Sequence, residues 1–259
     1  LKAGFSQTTP ATGVNKVCAS GMKAVMVAAD QIALGQASVI AAGGMESMSN
    51  VPYYLPKQRF GAKLGHVQAE DGILKDGLWD VYKDWHMGSA AELCARECSI
   101  SRERQDAFAV ESYRRAIAAR DSGAFAQEVI RMKVPGRKGQ TTIVDTDEEL
   151  GRVDFDRIPG LRPVFEKDGT VTAANASSLN DGAAALLLMS GARARELGVT
   201  PLARILSHSS AAKAPEWFTT APADAIPLAL KRAGLEIAEI DLFEINEAFA
   251  VVSLANNDL

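Results

Sequence analysis

Cysteine is scarce in this chain. Cys18, Cys94 and Cys98 are the only three among 259 residues, and no secretory signal opens the sequence. That combination points to free thiols in a reducing compartment. Long apolar runs are missing as well. No stretch approaches the roughly 20 uninterrupted apolar residues of a membrane-spanning helix, and the most apolar segment, Ala183 to Met189, has the length of a strand. Excess positive charge is also missing: a net charge of −4 argues against a nucleic-acid-binding surface, which needs a basic face. Histidines number three. Cys94 and Cys98 stand at i and i+4 with no histidine near them in sequence, so they read as a shared structural face and not as metal ligands. His66 and His208 form no pattern. Short-period repeats and low-complexity tracts are absent.

What is present is core-forming residues. The chain is 47% hydrophobic, enough for one large domain or two smaller ones. It opens on Leu1, already close to dense motifs. It stops at Leu259, just after an apolar helical pattern from Ala248 to Leu254 that has nothing following to cover it. This reads as a fragment of a longer protein.

Ser20 to Leu34 is apolar almost all round, which predicts a buried helix, with Gly35 as its left-handed cap. Ser38 to Gly44 follows as a short buried strand, giving one helix–strand unit of an α/β fold. From Met48 to Ala176 the texture changes to a loop-rich stretch broken by Pro52, Pro56, Gly61, Gly65, Gly72 and Gly77. Two helices follow, Ser89 to Cys98 and Arg102 to Asp121, the second capped by Ser101 and closed by Gly123. Basic residues then cluster at Arg131, Lys133, Arg137, Lys138, Arg152, Arg157, Arg162 and Lys167. The core pattern resumes with a buried strand at Ala183 to Met189 and a short helix from Ala192 to Leu197, capped by Gly198. Leu202 to Ser207 reads as a strand, Asp224 to Ala233 as a helix closed by Gly234, and Asp241 to Ile245 as a strand. Asn246-Glu247 falls on the turn into the last helix, the kind of place where α/β proteins set catalytic groups.

In Asn15-Lys16-Val17-Cys18-Ala19-Ser20-Gly21-Met22, a cysteine stands at the entry to a helix. Unpaired N–H groups and the partial positive charge there favour a thiolate. The small residues after it leave room for a substrate carbonyl to reach the sulfur. Placement alone leaves two readings open, a nucleophile and a buried structural cysteine.

This segment resembles the nucleophile motif of the thiolase family. Three more segments resemble that family in the same order: Gly43-Gly44-Met45-Glu46-Ser47-Met48-Ser49, Asn175-Ala176-Ser177 through Asn180-Asp181-Gly182-Ala183-Ala184, and Asn246-Glu247-Ala248-Phe249-Ala250. The likeness covers essentially the whole chain. It implies an α/β thiolase fold: two related α-β-α halves with mixed sheets in five layers, plus an inserted loop domain, here truncated. The territories it implies are 1–47 with 178–199 for the N-terminal half, 48–177 for the loop domain over the coenzyme A (CoA) site, and 200–259 for the start of the C-terminal half.

The resemblance implies that Cys18 is the nucleophile that carries the acyl group as a thioester. Its backbone N–H would contribute to an oxyanion hole. Asn246 would hold a water that stabilises the enolate of a second acyl-CoA, beside the alternative of a plain helix cap. Trp85-His86-Met87-Gly88 is similar to the short-chain, acetoacetyl-CoA branch, in which His86 and Met87 line the pantetheine and acyl site, as does Phe249. Arg152, Val153, Asp154 and Arg157 match the segment that embraces the CoA nucleotide, guanidinium groups suiting its 3′-phosphate. Ser177 would bond the pantetheine amide. Tyr113, which shares an apolar helix stripe with Ala109, Ala116 and Ile117, matches a potassium site together with Ala173, Ala174 and Ala176. Carbonyl oxygens suit such a hard cation.

The implied substrates are acyl-CoA thioesters, with no tightly bound cofactor and with K⁺ as the implied ion. The implied assembly is a homotetramer or homodimer, and the implied compartment bacterial cytoplasm or mitochondrial matrix, with no nucleic-acid or membrane partner. The implied reaction is condensation of two acetyl-CoA to acetoacetyl-CoA, or its thiolytic reverse. The family's Gly-His-Pro and Cys-Gly-Gly motifs are not among these residues, so the fragment alone is expected to be catalytically crippled. The rival readings are a broad-range 3-ketoacyl-CoA thiolase, a ketoacyl-carrier-protein synthase, and a non-catalytic CoA- or lipid-binding relative.

Overall fold

A computed structural model describes residues 2–136 and 139–259, so Arg137 and Lys138 of the basic cluster lie outside the described residues. The helices are α1 (Ser20–Ala33), α2 (Met87–Glu97), α3 (Arg102–Asp121), α4 (Gly191–Leu197), α5 (Ala221–Ala233) and α6 (Ala250–Asp258). The strands are β1 (Val39–Ser47), β2 (Tyr53–Tyr54), β3 (Glu70–Asp71), β4 (Trp79–Asp80), β5 (Trp85–His86), β6 (Met132–Pro135), β7 (Thr141–Val144) and β8 (Asp181–Met189). The chain mixes helix and strand in blocks: β1 to β5 follow α1, α2 and α3 come next, and β6 to β8 precede α4 to α6. Among the described residues no helix is long and apolar enough to cross a membrane. The chain divides into two compact units.

The first unit comprises Leu1–Trp79, Leu179–Ser210 and Leu228–Ile237. β1 and β8 pair antiparallel along their whole length, Val39 opposite Met189 and Ser47 opposite Asp181. α1 lies against this ribbon, burying Ala28 against Ala42 and Leu188, with Val25, Ile32 and Ile40 at the margin. Two glycines permit the close packing. A β-carbon on Gly43 would stand 2.2 Å from the Ala184 carbonyl oxygen, and one on Gly44 would stand 3.0 Å from Gly21 Cα.

The expected full burial of α1, β1 and β8 is not observed. Only Met26 and Ala28 of α1 are buried, while Met22 is 68% and Leu187 63% exposed. A two-stranded ribbon covered by one helix buries one face and leaves the other open. The expected strand at Leu202 to Ser207 does not form either, nor does that at Asp241 to Ile245. A strand exists through its ladder with a partner, and no strand among the described residues pairs with either segment.

The second unit comprises Asp80–Ser178, Ala211–Pro227 and Ala238–Leu259. Its core joins α2 and α6 through Ala91, Cys94, Val251, Val252 and Leu254, with Ile100 and Val171 beside them. The apolar pattern read at Ala248 to Leu254 is therefore a core helix in fact. α3 begins where Ser101 Oγ accepts the Arg104 N–H, and Gly123 just past its end has φ +74°. Arg104 clamps α3 to α6 through two hydrogen bonds to Asp258, at 2.7 and 2.6 Å. Cys94 and Cys98 share a helix face as expected, their sulfurs 4.0 Å apart. Among the described residues no group of three or more His, Cys, Asp or Glu could hold a metal.

Candidate active site

In the first unit the nucleophile candidate sits on a tight, self-bonded turn. Asn15 Oδ1 accepts the Val17 N–H at 2.9 Å, and Ser20 Oγ accepts the Lys16 N–H at 2.8 Å while donating to Val17 O at 2.7 Å. These bonds hold Val17 at φ +49°, a left-handed conformation that a β-branched residue rarely adopts. Cys18 follows, exposed and with a free thiol, one residue before Ala19, the N-cap of α1. The turn thus presents the sulfur outward from the foot of the helix.

Two of the ordered motifs meet in this unit. Ser49 donates to Asp181 through both its N–H (2.9 Å) and its hydroxyl (2.5 Å), tying the end of β1 to the start of β8. Those two bonds hold the Asp181 carboxyl below its usual range.

In the second unit, His86 is the N-cap of α2. Its Nδ1 accepts the Gly88 N–H at 2.9 Å, so the neutral ring carries its proton on Nε2. Partial burial pushes its pKa below the usual histidine range. The ring stacks on Phe165 with centroids 4.7 Å apart, and Phe165 meets Phe249 edge-on at 6.1 Å. Met87, Ala176 and Ala248 pack around the same core.

The segment Ala173 to Ser177 runs beside the start of α6. Ala176 bridges Phe249, Ala250 N donates to Asn175 O at 2.8 Å, and Ser177 N donates to Ala248 O at 3.1 Å. His86, Met87, Phe249 and the 173–177 loop are therefore gathered in one place. Asn246 is exposed and lies outside α6, whose N-cap is Phe249. The helix-cap alternative for Asn246 does not hold, because the helix starts too late for it.

Tyr113 on α3 contacts Phe155 edge-on at 6.5 Å. Its hydroxyl pKa is raised, by burial first and then by the charge of Glu149. Val153 is half-buried, whereas Arg152, Asp154 and Arg157 are exposed. Arg152 pairs with Glu148 on the surface. Such a pair is weak enough to exchange for a better anion. Among the alanines proposed for a cation, the intervening Asn175 has its carbonyl engaged by Ala250.

Residues 1–192 match the family described as "Thiolase, N-terminal domain", and residues 199–259 match "Thiolase, C-terminal domain". The chain belongs to the thiolase family. Its relatives include "Acetyl-CoA acetyltransferase 2" of Arabidopsis thaliana, 57% identical over 261 residues, covering 100% of this chain and 65% of that protein. A cytosolic acetyl-CoA acetyltransferase of Gibberella zeae is 49% identical over 257 residues, covering 99% of this chain and 65% of that protein. A mitochondrial acetyl-CoA acetyltransferase of Danio rerio is 52% identical over 257 residues, covering 99% and 61%. This thiolase chain thus spans a little under two thirds of the length of these relatives.

Reading the sequence missed several residues that shape the second unit's cluster. Phe165 carries the stacked histidine but stands between Val164 and Glu166 with no spacing signal. Glu92 is buried and accepts from Thr170 N, Thr170 Oγ1 and Val171 N at 2.8–2.9 Å. It thereby sets the approach to the 173–177 loop. Only its position on a helix could be read, and nothing there marked its burial.

Proposed function

We propose that the complete protein is an acetyl-CoA acetyltransferase. It condenses two acetyl-CoA to acetoacetyl-CoA and CoA, or runs the thiolytic reverse, through an acyl-cysteine. The observation that carries this reading is the exposed Cys18 thiol on its strained turn at the foot of α1. The likeness of the whole chain to acetyl-CoA acetyltransferases supports it.

In this reading Cys18 Sγ attacks the thioester carbonyl of the first acetyl-CoA. A carbon–sulfur bond forms to the enzyme as the bond to CoA sulfur breaks, and CoA leaves as the thiol. The Cys18 N–H steadies the oxyanion of the tetrahedral intermediate. A base that the resemblance places in the Cys-Gly-Gly segment of the complete protein takes the α-proton of the second acetyl-CoA, and Asn246 holds the water that stabilises the resulting enolate. The enolate carbon bonds to the acetyl carbonyl as the bond to Cys18 sulfur breaks, freeing the thiolate. Neutral His86, with its Nε2 proton, is a donor for the acyl or pantetheine end, which Met87 and Phe249 line. Ser177 bonds the pantetheine amide. Arg152, Val153, Asp154 and Arg157 embrace the nucleotide.

Potassium, where bound, supplies fixed positive charge beside the CoA pocket. The neutral Tyr113 hydroxyl and the carbonyls of Ala173, Ala174 and Ala176 would hold it. We further read residues 1–47 with 178–199 as part of the N-terminal thiolase half, 48–177 as the loop domain and 200–259 as the start of the C-terminal half. A homo-oligomer in the cytosol or the mitochondrial matrix accords with this reading.

Thiolysis kinetics of the complete protein test it. The expected result is a preference for acetoacetyl-CoA over longer 3-ketoacyl-CoA and a higher rate in potassium than in sodium buffer. A preference for longer chains would select the broad-range alternative. CoA binding without turnover would select a non-catalytic relative.

A further inference from the structure

Two segments assigned to CoA share one support on α3. Arg102 Nε donates to Asp106 Oδ2 at 2.7 Å, and Arg102 Nη2 donates to the carbonyls of Ile158 and Leu161, both at 3.0 Å. Those carbonyls lie in and just after the 3-10 turn Phe155–Gly160, which carries Arg157 and follows Arg152 to Asp154. The second carboxylate oxygen, Asp106 Oδ1, accepts from Asn175 Nδ2 at 2.9 Å. Asn175 Oδ1 accepts the Thr172 N–H at 2.8 Å, and Asn175 Nδ2 also donates to Thr170 O at 3.0 Å. Asn175 stands between Ala174 and Ala176, two residues before Ser177. Asp106 and Asn175 are buried, and the Arg102 side chain is only 19% exposed.

The chemistry of the pair suits a support. A guanidinium holds its donors on separate nitrogens in one plane, so Nε bonds the carboxylate while Nη2 bonds both carbonyls. The three donors of an ammonium sit on a single nitrogen and do not reproduce that spread. A buried carboxylate with one oxygen committed to each segment cannot release either without leaving a polar group unpaired.

We propose that the Arg102–Asp106 pair is a positioning device that sets both CoA-contacting segments from a single point on α3. Arg102 fixes the 155–161 turn for the nucleotide end. Asp106, through Asn175, fixes the 173–177 loop for the pantetheine end. The inference rests on the CoA reading of those two segments, and neither Arg102 nor Asp106 is asked to touch substrate.

The two arms come apart by ligand. In the complete protein, CoA, 3′-dephospho-CoA and S-acetylpantetheine are titrated by calorimetry against wild type, Arg102→Lys and Asp106→Asn, with thermal melts to establish folding. Wild type is expected to prefer CoA over 3′-dephospho-CoA by about tenfold or more, as a charge-assisted phosphate contact gives. Arg102→Lys keeps the charge beside Asp106 but loses the grip on the turn, so that preference collapses while S-acetylpantetheine binding is retained. Asp106→Asn weakens S-acetylpantetheine as well.

Equal weakening of all three ligands in Arg102→Lys would mark a general structural role and overturn the inference, as would an undiminished CoA preference. Each variant reads its own arm, so a folding failure in one leaves the other decisive. A wild type that binds no CoA, or binds it no better than 3′-dephospho-CoA, would overturn the reading of the site itself and the inference with it.

Discussion

Ser112 Oγ on α3 donates a 2.7 Å hydrogen bond to Glu247 Oε2, joining residues 135 positions apart in the chain. Ser112 directly precedes Tyr113, and Glu247 directly follows Asn246. The bond therefore anchors the segment that presents Asn246 to the helix that carries the candidate cation ligand. Replacing Ser112 with alanine removes the donor and frees that segment. The expected result in the complete enzyme is a fall in kcat of about threefold to tenfold, the scale of one ordinary intramolecular hydrogen bond, since solvent at this exposed site weakens the charged partner's contribution. KM should change little, and Ser112→Thr should restore the rate. Steady-state kinetics check this, and an unchanged kcat in Ser112→Ala would refute it.

Gly88 is glycine because of Phe165. A β-carbon there would lie 2.3 Å from the Phe165 ring, the ring that stacks on His86. Gly88→Ala must push the ring aside, an overpacking that typically costs about 1–3 kcal/mol. Urea unfolding should show a loss of that size, together with a raised KM from the disturbed His86 stack. A variant as stable as the parent would show that the ring is free to move.

Glu92 is an acceptor at every contact it makes with Thr170 and Val171. Glu92→Gln sets an amide NH₂ against backbone N–H groups in a buried site. The expected loss of stability is about 3 kcal/mol, the scale of losing charge-assisted hydrogen bonds without a substitute. Denaturant melts measure it, and a neutral substitution would contradict the role.

Cys94 makes stability depend on alkaline pH. Burial, the largest cause, pushes its thiol up to about 11 from 9.0, with Cys98 adding to the rise. Between those values the unfolded chain releases the proton while the folded chain keeps it. Stability is thus fully present below pH 9 and falls as pH rises towards 11. Urea midpoints measured across that window should decline for the parent and decline less for Cys94→Ala. Parallel slopes would assign the effect to other groups.

Much of the local structure was legible because its signals are local. Gly35, Gly123, Gly198 and Gly234 mark helix ends, all four at positive φ, and Ser101 marks the start of α3. The cluster in the second unit was legible only in its motif residues. Asp106 meets Asn175, Arg102 meets Ile158 and Glu92 meets Thr170 across 69, 56 and 78 residues of chain, and a buried carboxylate looks like any surface one in a sequence. The apolar runs at Leu202 and Asp241 gave strand periodicity but could not supply a partner ladder. The left-handed Val17 ran against its own propensity, so the strain beside Cys18 was invisible until the turn's hydrogen bonds were seen.

Cys18 as the acylated nucleophile is the centre of the account, and peptide mass spectrometry tests it most directly. The complete protein is mixed briefly with acetyl-CoA, quenched in acid and digested. One acetyl group should appear on the peptide bearing Cys18, disappear on adding CoA, and be missing in Cys18→Ala. An acetyl group found elsewhere, or a Cys18 left unmodified while the enzyme turns over, would contradict it.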